Sequence, residues 1–265
     1  MVEKCSEFAI ENYQAKKFEN GKFSQIDDLI IKESILAVFV NGNEIARLIY
    51  NPTYIEQLAL GFLFSECIIE NLSDVNSVNY SERTNSIEII LKEGLQGNLF
   101  NSVRSVATGC GRCLTTVSPI YSKFFQKIES DVRISSDVVL SLVKKLQNAS
   151  STFRKTGGVH SAAIAENDNI LFVCDDIGRH NAVDKVLGWQ LQNRWPSDSK
   201  AIMLETGRIS TEIVTKAVRG KFPILISPSA PTSGALQLAD SLNLTTIGFT
   251  RGERFNVYTH SWRVS

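Results

Sequence analysis

Residues 201–249 read AIMLETGRISTEIVTKAVRGKFPILISPSAPTSGALQLADSLNLTTIGF, and this stretch decides the fold. Three short apolar runs, at 201–205, 223–227 and 245–249, alternate with two amphipathic helical segments, at 210–219 and 231–242. Such alternation implies right-handed crossovers and a mostly parallel sheet covered by helices. Pro231 suits the first helical turn, where its missing N–H costs nothing. Upstream, a helix over 181–192 leads into the first of these strands. A hairpin before it, with strands 160–165 and 170–174, adds one antiparallel strand and makes the sheet mixed. A helix over 137–150 is amphipathic through Val138, Val139, Leu142, Val143 and Leu146.

The first half has another rhythm. Residues 1–33 are polar and weakly patterned, and read as an arm followed by a short strand. Strands over 34–40 and 44–50 then flank Asn41-Gly42, a pair that suits a type I′ turn because both residues tolerate φ > 0. Thr53 and Glu56 form a T-x-x-E capping box opening a helix with Ile55, Leu58, Ala59, Phe62 and Leu63 on one face. A second strand pair follows at 75–80 and 86–92. The fold class is therefore α/β. An N-terminal α+β domain (1–106) is followed by a linker (107–134) and a second domain (135–265).

The 265 residues carry 28 Lys+Arg against 28 Asp+Glu, a formal net charge of zero. Neutrality argues against a nonspecific nucleic-acid binder or a polybasic membrane binder, since both work through excess positive charge. It leaves room for a small anion held by a few placed arginines. No signal-peptide pattern opens the chain and no apolar run approaches the roughly 18 residues of a membrane span, so a cytoplasmic protein is expected. Five cysteines are too few and too scattered for a disulfide framework. Cys5, Cys67 and Cys174 read as incidental or packed.

Cys110 and Cys113 are different. They stand in Thr108-Gly109-Cys110-Gly111-Arg112-Cys113, where flanking glycines let the backbone turn and expose sulfur. Arg112 favours thiolate, the nucleophilic form. Two thiols at this spacing can share a metal, cycle through a disulfide or pass a sulfur atom. A Cys₄ zinc site needs a second close pair, which the chain lacks, whereas a Cys₂His₂ site would have to recruit His160 and His180.

The remaining candidates share a setting. In DDIGRHNAVD, Arg179 and His180 fall where a strand ends and a helix begins, so backbone N–H groups and the helix dipole favour an anion there. Pairing with Asp175 or Asp176 is the plainer reading of the same residues. The loops at 205–210, with Ser210 as a candidate N-cap, and at 227–234 repeat this architecture, all at the carboxyl ends of strands, the ligand edge of an open α/β sheet. The segment Phe249, Thr250, Arg251, Gly252, Glu253, Arg254 leaves the last strand at that edge. Its two arginines can grip a phosphate bidentately, and Phe249 or the following Phe255 can stack on a base. A charged hairpin turn is the alternative.

Six motifs in this order carry a resemblance: CGRC, TGGVHSAA, DDIGRHNAVDKVLG, TGRISTEIVTKA, SAPTSGALQLA and IGFTRGERFNVYTH. Together they resemble the FdhD family of formate dehydrogenase accessory sulfurtransferases, from about Ser34 to His260. One departure is Leu114, where many members carry Gly. The resemblance implies a cytidine-deaminase-like, three-layer α/β/α second domain without deaminase chemistry. It implies a sulfur carrier that accepts a persulfide from a cysteine desulfurase and serves formate dehydrogenase. The molybdenum cofactor, bis(molybdopterin guanine dinucleotide), would be its bound substrate, with no permanent metal. Cys110 would carry the persulfide and Cys113 assist, and the 249–254 segment would hold the cofactor. A homodimer is also implied. A noncatalytic cofactor chaperone and a zinc-dependent hydrolase or deaminase are the competing readings.

Overall fold

Residues 10–31 form a two-stranded antiparallel ribbon, β1 (Ile10–Glu19) and β2 (Lys22–Ile31), in a computed structural model that describes residues 9–93, 125–193 and 200–265. This corrects the expected arm. The turn signal was Asn20-Gly21, both at positive φ (52° and 79°), the same pair as at 41–42. Neither ribbon face is deeply buried, so its strands show no apolar alternation to announce them.

The other N-terminal strands follow expectation: β3 (Ser34–Val40), β4 (Asn43–Tyr50), β5 (Val75–Ser81) and β6 (Ser86–Leu91) form a sheet in the order β4-β3-β6-β5. Inward residues alternate, with Leu36, Val38 and Val40 on β3 and Ile87 and Ile89 on β6 fully buried. Helix α1 (Ile55–Ser65) follows β4. The expected capping box does not form. Tyr54 occupies the cap in a left-handed conformation without a side-chain bond, and Thr53 turns its hydroxyl elsewhere. That hydroxyl donates to Asn51 Oδ1 (3.0 Å) and accepts from Lys185 Nζ (3.1 Å). A fully buried ammonium needs acceptors more than this helix start needs a cap.

In the second half come α2 (Ser136–Ala149) and an unexpected short α3 (Ser151–Thr156), then β7 (His160–Glu166), β8 (Asn169–Asp176) and α4 (Arg179–Gln192). Next are β9 (Ala201–Glu205), α5 (Thr211–Arg219), β10 (Ile224–Ile226), α6 (Ser233–Ser241), β11 (Thr245–Arg251) and β12 (Arg254–Val257). The six strands order as β12-β11-β10-β9-β7-β8, with β9, β10 and β11 parallel and β7 and β12 antiparallel to their neighbours. Helix α6 starts later than expected. Thr232, not Pro231, stands at its cap and accepts from the Ala235 N–H (3.3 Å), while Pro231 bridges to Ile209. A hydroxyl can take an orphan N–H, and proline cannot.

Successive strand residues face opposite ways and separate two cores. Ala163, Ala165, Ile202, Leu204, Ile224 and Ile226 pack with α2, whereas Ala162, Ile164, Met203 and Leu225 pack with α4, α5 and α6. This is the three-layer arrangement expected of the second half. The second core continues through α1 into the N-terminal sheet.

Helix α1 meets α4 at backbone distance. A Cβ on Gly61 would overlap the Asp184 carbonyl, and one on Gly188 would overlap the Gln57 carbonyl. Two charged pairs flank this seam. Lys185 Nζ lies 2.7 Å from Asp176 Oδ2, both fully buried, and also reaches the Asn51 and Asp175 carbonyls (3.2 and 3.0 Å). Lys216 pairs with Asp184 and donates to Ser65 Oγ on α1 (2.9 Å). Buried charges persist only when so satisfied. Gly188→Ala is expected to cost about 3 kcal/mol, read as a lowered urea midpoint, because backbone must move to admit the methyl. An unchanged midpoint would show slack between the helices that this packing denies.

Candidate functional site

The parallel strands end on one edge, and their loops are stitched together there. Thr206 donates its N–H to the Ser161 carbonyl (3.0 Å), while its hydroxyl accepts from the Ser161 N–H (3.0 Å) and lies 3.4 Å from His160 Nδ1. Ser229 Oγ donates to the Thr206 carbonyl (2.9 Å) and Ser227 Oγ to the Gly207 carbonyl (2.8 Å). Phe249 N–H reaches the Ser229 carbonyl (3.0 Å), and Arg251 Nε the Pro228 carbonyl (3.2 Å). The floor thus runs without a break from β7 to β12, and the loops singled out in the sequence meet as neighbours.

Arg179 and His180 open α4, two residues earlier than expected, and so stand in its first turn. A Cβ on Gly207 would lie 2.8 Å from Arg179 Cδ and 3.0 Å from Glu205 Oε2, so only glycine lets that side chain lie flat across the loop. The neighbouring aspartates serve the scaffold. Asp176 takes Lys185, the Gly178 N–H (2.9 Å) and the Asn181 amide (3.0 Å), while Asp175 accepts from the Ser150 and Ser161 hydroxyls (2.8 and 2.7 Å).

Burial and crowded cations keep the histidines neutral. Burial, with Lys216, Arg179 and His160 nearby, pushes His180 down to about 3. Its Nε2 lies 3.1 Å from Glu212 Oε2, so this contact is a neutral N–H donating to a carboxylate. Burial, then Arg179 and Arg208, lower His160 as well. Glu205 is the opposite case. Only 1% exposed, it accepts from the Gly207 N–H through Oε2, while Oε1 meets no hydrogen-bond partner among the described residues. Burial pushes its carboxyl up to about 8, against the opposing pull of the Gly207 N–H, Ser227 and Arg179. The edge therefore keeps the buried Glu205 protonated near neutrality.

The 249–254 segment is a hairpin, with Arg251 opposite Arg254 across a turn in which Gly252 has φ 61°. The local structure is thus the charged turn foreseen as the alternative, and it still projects both arginines from the ligand edge. A bulge between Gly248 and Arg251 holds Phe249 at φ 52° with 42% of its surface exposed. Thr250 is buried, whereas Glu253 and Arg254 are exposed. Cys110 and Cys113 lie outside the described residues, and with them most of the expected linker. Sequence reasoning missed Glu205 and Glu212 as individual site groups. A strand-end glutamate two residues before glycine was the available signal for the first, but nothing local marks the second.

The family model described as FdhD/NarQ matches residues 31–265. The chain belongs to this family. It is 36% identical to a protein of Geobacillus kaustophilus over 98% of both chains, and 34% identical to one of Listeria monocytogenes over 97% of this chain and 99% of that one. A Bacillus subtilis relative is 36% identical over 94% of this chain and 95% of its own length. All three are named sulfur carrier protein FdhD. The FdhD/NarQ fold is seen also in a crystal structure from Desulfotalea psychrophila, titled a putative formate dehydrogenase accessory protein. It matches with TM-score 0.78 at 22% identity, over 97% of this chain and all of that one. Among the described residues no helix is long and apolar enough to cross a membrane.

Glu205 gives a direct test of the site's electrostatics. Its folded pKa of about 8 lies above the ordinary 4.5, so between those values the unfolded chain ionises first and stability falls as pH rises. Glu205→Gln cannot ionise. Its urea-unfolding free energy is expected to gain on the wild type by about 3.5 kcal/mol between pH 5 and pH 8. Parallel pH profiles for the two proteins would exclude a protonated Glu205.

Proposed function

We propose that this chain is a sulfurtransferase that carries sulfur as a persulfide on Cys110, from a cysteine desulfurase to the bis(molybdopterin guanine dinucleotide) molybdenum cofactor. Formate dehydrogenase is the client, and the protein works in the cytoplasm as a homodimer. The observation that carries the reading is near full-length similarity to relatives named sulfur carriers, over a span that includes the Cys pair.

The chemistry follows from the residues. Cys110 thiolate attacks the terminal sulfur of the donor's persulfide. The donor's S–S bond breaks, the donor cysteine leaves as thiolate, and Cys110 becomes the persulfide. Attack of Cys113 thiolate on the Cys110 sulfur then releases the terminal sulfur as sulfide and leaves a Cys110–Cys113 disulfide. Arg112 favours thiolate throughout. The molybdenum cofactor, as substrate, presents two guanine nucleotides with pyrophosphates, which require cationic groups and N–H donors along one edge. Arg179 in the first turn of α4, Arg208, and the facing Arg251 and Arg254 supply that character. Like charges opposite each other across strands cost stability, and a phosphate between them removes the cost. Phe249, held outward by the bulge, offers a face for a base. Thr250, Gly252 and Glu253 shape the turn, and His180 stays neutral beside the anion.

Mass spectrometry after incubation with a desulfurase and cysteine is expected to show a one-sulfur adduct on the wild type and none on Cys110→Ala. An adduct that persists in Cys110→Ala would remove the assignment, and client activation surviving loss of both cysteines would favour a noncatalytic chaperone. Calorimetry with GDP is expected to show at least a tenfold weaker affinity once Arg251 and Arg254 are both alanine. Equal affinity would move the nucleotide site elsewhere.

A further inference from the structure

The ribbon of β1 and β2 stands apart from both cores, since none of residues 10–31 belongs to either. A lone two-stranded hairpin is marginal in water. This one also leaves Phe18 and Phe23 61% and 73% exposed at its tip, rings 5.0 Å apart. Strand β1 has β2 on one side and no other strand beside it among the described residues. An open edge of ten residues is a template for another strand.

Which groups the edge offers is fixed by the turn. Glu19 and Lys22 flank a two-residue loop and so form a hydrogen-bonded pair, and odd-numbered residues of β1 alternate as bonded partners of β2. At the ribbon's base the Lys32 N–H donates to the Ala9 carbonyl (2.9 Å), in step with that alternation. The N–H and C=O groups of Asn12, Gln14 and Lys16 therefore point outward.

We infer that this edge pairs antiparallel with β1 of a second copy, centred on Gln14, to make a continuous four-stranded sheet β2-β1-β1-β2. The sequence is complementary to itself about that residue. Glu11 falls opposite the partner's Lys17, and Asn12 opposite the partner's Lys16. Ile10 falls opposite the partner's Phe18. Because Ile10 pairs with Ile31 and Phe18 with Phe23, one face of the joined sheet carries the row Ile31, Ile10, the partner's Phe18, the partner's Phe23. The exposed aromatic tip of each copy is thereby covered by the aliphatic base of the other. Pairing β2 with a second β2 about its middle sets Asp27 against the partner's Asp27, and the charges favour the β1 edge. The inference rests on the homodimer proposed above and locates its interface, and it is independent of the sulfur-transfer chemistry.

Analytical ultracentrifugation of the full chain tests it. The wild type is expected to be a dimer. Gln14→Pro, which removes an N–H that β2 does not use, is expected to be a monomer with an unchanged urea midpoint. Glu11→Lys and Lys17→Glu are each expected to weaken the dimer about tenfold, and together to restore it. A dimer unmoved by Gln14→Pro would overturn the interface alone, whereas a monomeric wild type would overturn the proposed homodimer with it. A double variant no tighter than the single ones would overturn the register.

Discussion

Everything in this molecule is arranged around two helices whose backbones touch. Gly61 on α1 and Gly188 on α4 are each packed against a carbonyl of the other helix, so the separation of these axes is set by main chain. Close approach of this kind is rigid and has no side-chain slack to absorb error. It fixes α4, and α4 in turn carries Arg179 and His180 at its start and Lys185 and Asp184 along its buried length. The buried pairs Lys185–Asp176 and Lys216–Asp184 then tie the strand ends and α5 to the same seam. The ligand edge is thus positioned from behind, by a contact that takes no part in its chemistry.

The electrostatics of the edge follow from that rigidity. Behind it, Lys185 and Lys216 are matched by Asp176 and Asp184. In front, burial neutralises Glu205, His180 and His160, so Glu205 does not offset the arginines Arg179 and Arg208 that lie beside these groups. A chain of zero net charge can in this way present an edge suited to polyanions.

How much of this was legible varied with whether the signal was local. The parallel strands were read because their apolar runs alternate with amphipathic helical segments, and the order of elements then dictated the sheet. The loops at 205–210 and 227–234 were read as one edge for the same reason. The ribbon was not, because strands that bury neither face lack alternation, and Asn20-Gly21 stood alone. Thr53 was misread as a cap because its true partner, Lys185, is 132 residues away. Glu205 was seen only as part of a loop, since its burial depends on three strands meeting. The Cys pair, the plainest chemical signal in the sequence, lies outside the described residues.

The sharing of α1 between both halves bears on how the protein comes to be made. From Leu58 to Ser65 every residue of this helix is buried, with partners drawn from the N-terminal sheet and from α4 and α5. During synthesis α1 emerges more than a hundred residues before α4, so its apolar surface waits uncovered while the intervening chain is made. Closing that long-range contact is an entropic cost that local strand pairing does not repay until the second half arrives. Until then the first half alone has nothing to cover the face of α1 that packs on α4 and α5.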